Sequence, residues 1–219
     1  MPEPSPPSSR SPLASFVVIA AVVAVGAGAF AYTAGWFSPD RLTPAKLVDV
    51  LAPADGPALG YRRNHAKGIC FTGIFESNGK GADLSVAQVL AAGAYLVVGR
   101  FNLATPNPGA ADATVRVRGL GLQITTPDGG VWRSAMIDPP FFPVATPQAF
   151  YELQTAAHSK DPAAMKNVVA AHPEIAAFGK WATTTPWTSS YAEDPYNSLN
   201  AFLFVDRAGV ARAVRWSLR

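Results

Sequence analysis

The sequence predicts an α+β fold, an antiparallel sheet or barrel with peripheral helices, preceded by one long apolar helix. Three observations predict it. No charged residue occurs from Ser11 to Pro39, and 13–37 is almost wholly apolar. Between 69 and 133, apolar and β-branched runs are punctuated by Gly-, Pro- and Asp-rich turns, and 199–216 repeats that pattern as a hairpin. Thr-Pro and Asp-Pro pairs, which open helices, stand outside those runs. Of the 219 residues 49% are hydrophobic, enough for a sizeable core, and only 15% are charged.

Residues 1–12, rich in Pro and Ser, read as a disordered tail. Residues 13–37 suit a transmembrane anchor, because about 20 apolar residues in a helix cross a hydrocarbon core of about 30 Å. Trp36 and Phe37 stand at its outer end, where aromatic rings favour the headgroup layer. The competing reading is a signal peptide cleaved at Ala29-Phe30-Ala31. The apolar run is long for a signal core and continues past that site, which favours an uncleaved anchor. The remaining domain spans 40–219. Thr43-Pro44 opens a short helix, with Thr as N-cap and an apolar face of Leu47, Val48 and Leu51. The run 69–75 is strand-like, 84–92 reads as a short helix and 95–101 as a strand. Alternation at Val115-Arg116-Val117-Arg118 leads into a strand through Ile124. It turns at Thr126-Pro127-Asp128-Gly129-Gly130 and returns from Val131 as a hairpin. Thr146-Pro147 opens a helix to about Ala157, and Asp161-Pro162 another to about Ala171. A last hairpin, 199–205 and 210–216, turns at Asp206-Arg207-Ala208-Gly209. No repeat of fixed period is visible.

The net charge of +3 is scattered, without a Lys/Arg run, so a nucleic-acid partner is not indicated. One cysteine, Cys70, excludes an intramolecular disulfide and every CxxC-based site. It is expected to pack as a small buried hydrophobe within 69–75. GxxxxGK[ST], HExxH and GxSxG are absent, so phosphate-loop, zinc-hydrolase and serine-elbow chemistry are not indicated, and no metal ligand is assigned. Trp187, Tyr191 and Tyr196 read as packing residues.

Three histidines remain. His158 precedes Ser159-Lys160 in a loop and His172 precedes Pro173 at a helix end; both read as surface or capping residues. His65, in Arg62-Arg63-Asn64-His65-Ala66-Lys67-Gly68, would be equally ordinary by composition. A second segment sets it apart: Gly99-Arg100-Phe101, then Gly109-Ala110-Ala111-Asp112, then Arg118-Gly119-Leu120. Together the two segments resemble the haem catalases. Arg-x-x-His-Ala-Lys-Gly looks like the family's distal-histidine motif, and the second segment like its next strand pair. Asp128-Gly129-Gly130-Val131-Trp132, Pro140-Phe141-Phe142, Phe150 and Asn200-Ala201-Phe202 continue the likeness in order, over 61–216. Met136, Pro143-Val144-Ala145-Thr146-Pro147 and the N-terminal apolar helix look more like the small catalase-related peroxidases than the full-length catalases.

The resemblance implies a catalase-like antiparallel β-barrel with flanking helices and haem b as cofactor. It implies reduction of hydrogen peroxide or organic hydroperoxides in antioxidant defence, with an electron donor that the sequence does not identify. It also implies a domain on the periplasmic, extracytoplasmic side of a single-pass anchor. His65 would be the distal acid–base, a task that suits an imidazole titrating near neutrality. Arg62 and Arg100 match arginines that pair with haem propionates, where a guanidinium fork fits a carboxylate. Phe150 matches a ring packed near the haem face. Some positions depart from the pattern. Asn102 stands where full catalases have a serine holding the distal histidine, and it retains hydrogen-bonding capacity. The family's distal asparagine falls at Ile137-Asp138. Ile137 cannot bond peroxide, whereas Asp138 can, so Asn102 and Asp138 join His65 as candidate catalytic residues. Asn64 replaces an apolar residue. Such a pocket fits peroxidase turnover better than fast disproportionation. The family's proximal tyrosinate lies in an Arg-x-x-x-Tyr helix beyond the barrel. None of Tyr32, Tyr61, Tyr95, Tyr151, Tyr191 or Tyr196 has an Arg four residues before it, so the chain is expected to lack the segment that supplies the iron ligand. Two other readings stay open: a non-enzymatic barrel holding haem or another hydrophobic ligand, and an inactive member kept as a partner-binding domain.

Overall fold

The computed structural model describes residues 12–38, 40–52 and 56–219, so the expected tail lies outside it except for Pro12. The chain divides into a short N-terminal unit ending at Thr43 and a second unit, Pro44–Arg219.

The first unit is one helix, α1 (Pro12–Thr33), with no charged side chain and its large apolar residues exposed on every side. A helix that is apolar all round has no single face to bury against a core. It is the one helix among the described residues long and apolar enough to cross a bilayer. Gly35, at φ +70°, ends it, and Trp36 N–H reaches back to Ala31 O at 2.9 Å.

The second unit begins with α2 (Pro44–Asp49) and is built on antiparallel strands β1 (Gly68–Ser77), β2 (Gly93–Leu103), β3 (Arg118–Thr125) and β4 (Val131–Ile137). Helices α3 (Pro147–His158), α4 (Ala164–Ala171) and α5 (Ile175–Thr184) follow. The chain then returns through β5 (Tyr196–Asn197), the hairpin β6 (Phe202–Val205) and β7 (Ala211–Val214), and β8 (Ser217–Leu218). Strand order in the main sheet is β1-β2-β3-β4-β5-β8, and β6-β7 form a separate pair. The expected antiparallel barrel with flanking helices takes the form of an open, curled half-barrel sheet.

Period-two alternation assigns the two faces of this sheet. Phe71 and Phe75 of β1, Tyr95 and Val97 of β2, Leu122 and Ile124 of β3 and Trp132 of β4 pack on one face with Val89. Leu120, Met136 and Tyr196 extend that core toward Trp216 and Leu218. A separate cluster of Val144, Ala149, Phe150, Leu153 and Ile175 holds α3 against its neighbours. Thr146 caps α3, its hydroxyl accepting Ala149 N–H at 3.1 Å ahead of Pro147, as its Thr-Pro signal requires.

Several expectations are corrected. The helix expected at 84–92 is one 3-10 turn, Gln88–Leu90. Ser85 Oγ accepts Ala87 N–H, and Val86 N–H pairs with Val205 O, so backbone groups needed for a helix are already engaged. Strand β3 starts at Arg118 rather than Val115, because Val115 closes the 3-10 turn Asp112–Thr114. The helix expected from Asp161 starts at Ala164, since Asp161 Oδ1 first holds Ala163 N–H in a turn. Helix α5 was not expected; Pro173 before it and Gly179 inside it mask its pattern. Cys70 is exposed, not packed: it lies opposite Arg100 on the outer face of β1, while Phe71 takes the inner face.

Candidate active site

His65 occupies a bend just before β1 and has φ +55°, a left-handed conformation that costs a non-glycine residue ~1–2 kcal/mol. The surrounding residues fix that conformation. Asn64 Oδ1 accepts His65 N–H at 2.8 Å. Arg100 donates from its two terminal nitrogens to His65 O at 3.0 Å and Ala66 O at 3.1 Å. Ala66 is buried, and its N–H reaches Thr105 O at 2.9 Å. Lys67 Nζ lies 2.6 Å from Ala110 O and 2.6 Å from Asp112 Oδ1. At Gly68 an added Cβ would stand 2.3 Å from Phe101 O and 2.6 Å from Arg100 Cζ, so only glycine lets the bend enter β1 beside that guanidinium. Every residue from Asn64 to Gly68 thus has a structural reason to be there.

The imidazole Nδ1 is 2.6 Å from Asn102 Oδ1. Asn102 is 8% exposed, and its Nδ2 donates to Arg100 O at 3.3 Å, which orients the amide oxygen toward the ring. An amide oxygen only accepts, so Nδ1 carries the proton and Nε2 the lone pair. Burial lowers the His65 pKa below its ordinary 6.5. The Asn102 contact opposes this, and Arg100 and Arg62 reinforce it.

His65 opens onto a cavity of about 640 Å³. Arg62, Asn64 and Asn102 supply its polar side, and Leu120, Ile137, Phe142 and Leu199 its apolar side. Gly121 and Ala135 give part of its wall almost no side chain, and an added Cβ at Gly121 meets nothing within 4 Å. The volume and the lining suit a large, mostly apolar group with anionic substituents at the Arg62 side.

The other predicted site residues lie elsewhere. Arg100 does not line the cavity; it braces the His65 bend from behind. Phe150 stands behind Phe142, centroids 5.5 Å apart, in the α3 cluster. Asp138 is not among the cavity's lining residues. Its neighbour Ile137 faces the cavity, whereas its own carboxylate accepts Arg118 N–H at 2.8 Å and meets an Arg116 guanidinium nitrogen at 3.3 Å. Burial raises Asp138 to about 6, with a push from Asp194, against the Arg118 hydrogen bond and Arg116. No tyrosine lines the cavity. Tyr95 donates to Gln88 O and Ala91 O, and Tyr196 to Tyr191 O. Burial and Asp112 push Tyr191 up to about 12, which disfavours a phenolate there.

Sequence reasoning missed a second polar cluster. Arg118, 7% exposed, pairs with Asp194 at 2.9 Å and donates to Thr188 Oγ1 at 2.7 Å. Arg116 lies 4.0 Å over the Trp181 ring and donates to Ala182 O and Thr185 O. These contacts tie the segment after α5 to β3. The Val-Arg-Val-Arg run carried no sign that both arginines turn inward, since their partners lie about 70 residues on.

The fold and this site define a class. The chain belongs to the catalase family, whose model, described as Catalase, matches residues 23–216. It is similar to two proteins described as catalase-related peroxidases. One, from Synechococcus elongatus, is 31% identical over 210 residues, covering 93% of this chain and 59% of that protein. The other, from Mycolicibacterium paratuberculosis, is 28% identical over 180 residues, covering 81% and 58%. The chain thus spans about three fifths of the length of these curated relatives.

Proposed function

We propose that this chain is a haem-dependent peroxidase acting on hydrogen peroxide or organic hydroperoxides, with His65 as its acid–base group. The observation that carries the reading is the His65–Asn102 pair at the mouth of a large, mostly apolar cavity. Asn102 holds Nδ1–H, and burial keeps the ring neutral at physiological pH. Nε2 is then free to take the proton from one peroxide oxygen and return it to the departing oxygen. Ile137 brings no hydrogen-bonding group to the cavity, which leaves His65 to carry the proton alone. A bound haem b would supply the iron and the macrocycle that take up the oxidising equivalents. Arg62 would hold a propionate through its fork, and Phe142, Ile137 and Leu199 would pack against the ring. In this reading Arg100 is a positioning residue, fixing the bend that aims His65. Helix α1 would anchor the domain in a membrane, on its extracytoplasmic side. The electron donor is left open.

One observation favours a second reading, a non-catalytic module holding haem or another hydrophobic ligand: no tyrosine lines the cavity. Hemin titration followed in the visible, with peroxide-dependent oxidation of a dye, separates the two. The first reading expects a saturable Soret band and dye oxidation that His65→Ala lowers by about a hundred- to ten-thousand-fold, with hemin still bound. Equal turnover in the variant would sink the assignment of His65, and a Soret band without turnover would favour the binding module.

A further inference from the structure

The inner face of the half-barrel carries a second, partly open cavity, of about 190 Å³, whose lining does not include His65. Its walls come from Phe75, Leu122, Trp132, Phe204 and Trp216, with Ser134 as the one hydroxyl among the lining residues. That hydroxyl already accepts the Trp216 Nε1 hydrogen at 3.1 Å. Among the described residues, no charged side chain lines the space. We propose that it is a binding site for a small, neutral, single-ring aromatic molecule.

Volume and chemistry carry this together. An apolar cavity of about 150 Å³ is enough to take a benzene-sized guest, and this one is slightly larger. Its rings are fixed by one another at varied angles. Trp132 meets Phe204 nearly edge-on, 83° at 5.7 Å, and meets Trp216 at 57° and 5.3 Å. An aromatic guest thus finds both faces and edges, the arrangements aromatic rings prefer. A carboxylate or ammonium would lose its hydration with no partner in return. A fused bicyclic guest would crowd these walls more than a single ring does.

The test uses the full chain in detergent micelles, fluorobenzene as probe, and ¹⁹F NMR against micelles without protein. A protein-dependent, saturable bound resonance is expected. 4-Fluorobenzoate should give none, and 1-fluoronaphthalene should bind more weakly than fluorobenzene. Leu122→Phe, which fills the cavity, should weaken fluorobenzene by about tenfold or more. Phe204→Ala, which enlarges it, should tighten 1-fluoronaphthalene. His65→Ala should leave the resonance unchanged, which keeps the site distinct from the peroxidase cavity. Three results would overturn the proposal: no resonance beyond that of micelles alone, full binding by a folded Leu122→Phe variant, or equal binding of 4-fluorobenzoate. If Leu122→Phe does not fold, the size switch in Phe204→Ala decides: 1-fluoronaphthalene binding tighter there than to the parent chain supports the site, and no gain refutes it.

Discussion

Replacing Gly119 by alanine tests how His65 is held. Gly119 lies opposite Asn102 in the β2–β3 register, and an added Cβ would stand 2.4 Å from Asn102 Oδ1 and 3.1 Å from its Cγ. The amide cannot yield freely. Its oxygen is engaged by His65 Nδ1 and its nitrogen by Arg100 O, and the side chain is buried. Moving it loses the histidine contact, a net ~0.5–1.5 kcal/mol for such a hydrogen bond. It also forces an off-rotamer side chain, costing a further ~0.5–1.5 kcal/mol. Gly119→Ala should therefore destabilise the domain by about 1–3 kcal/mol. Turnover should fall as well, because nothing then fixes the proton on Nδ1. Serine at 102 is short enough to clear the new methyl group. In the double variant Gly119→Ala with Asn102→Ser, much of the cost should vanish, a coupling of about 1–2 kcal/mol. Urea unfolding of the full chain in detergent, followed by tryptophan fluorescence, measures all four corners of the cycle. Costs that simply add, within about 0.5 kcal/mol, would mean that the two residues do not meet as described.

Four further outcomes are expected. The acid limb of the pH–rate profile should lie below 6.5, because only neutral His65 accepts a proton; Asn102→Ala should shift it further to acid, since that contact raises the pKa. Asp138 rises from 3.8 to about 6 on folding, so between these values the folded state holds the extra proton. Its contribution to stability is present below about 4 and lost as pH rises through about 6, and Asp138→Asn should flatten that slope in urea midpoints measured from pH 4 to 7. Asp194→Ala strands a buried guanidinium at Arg118 and should cost about 3–5 kcal/mol in urea unfolding; a loss under 1 kcal/mol would show the pair to be solvated. The full chain should pellet with membranes and resist high salt, while a variant starting at Asp40 stays in the supernatant; free protein beginning near Tyr32 would show cleavage instead.

The elements legible in the sequence were those with a local physical signature. Thr146-Pro147 fixed the start of α3, apolar runs bounded by turn residues marked β2 and the β3–β4 hairpin, and absence of charge marked α1. Elements that depend on distant partners were not legible. Val86 forgoes a helix because Val205 offers it a backbone acceptor about 120 residues away. Cys70 was misplaced because an apolar run such as 69–75 shows no alternation to separate its inner from its outer residues. Only the pairing with β2 does that, putting Phe71 against the core and Cys70 opposite Arg100.

The candidate site was legible only through its resemblance to a family motif. By composition His65 is ordinary, and apart from the Asn64 contact the reasons for the bend 64–68 lie in distant partners: Arg100 and Thr105 hold its backbone, and Gly68 clears the Arg100 guanidinium. Which of its neighbours face the cavity is a question of strand parity. Asn102, Gly119 and Ile137 share one row across β2, β3 and β4, on the His65 side. Asp138, one step on, must turn the other way, and there it meets Arg116 and the Arg118 backbone. A carboxylate in that row would have been a second proton carrier beside His65. Its displacement by one residue leaves an isoleucine there, so under the proposed peroxidase reading proton transfer would rest on His65 and the amide that orients it.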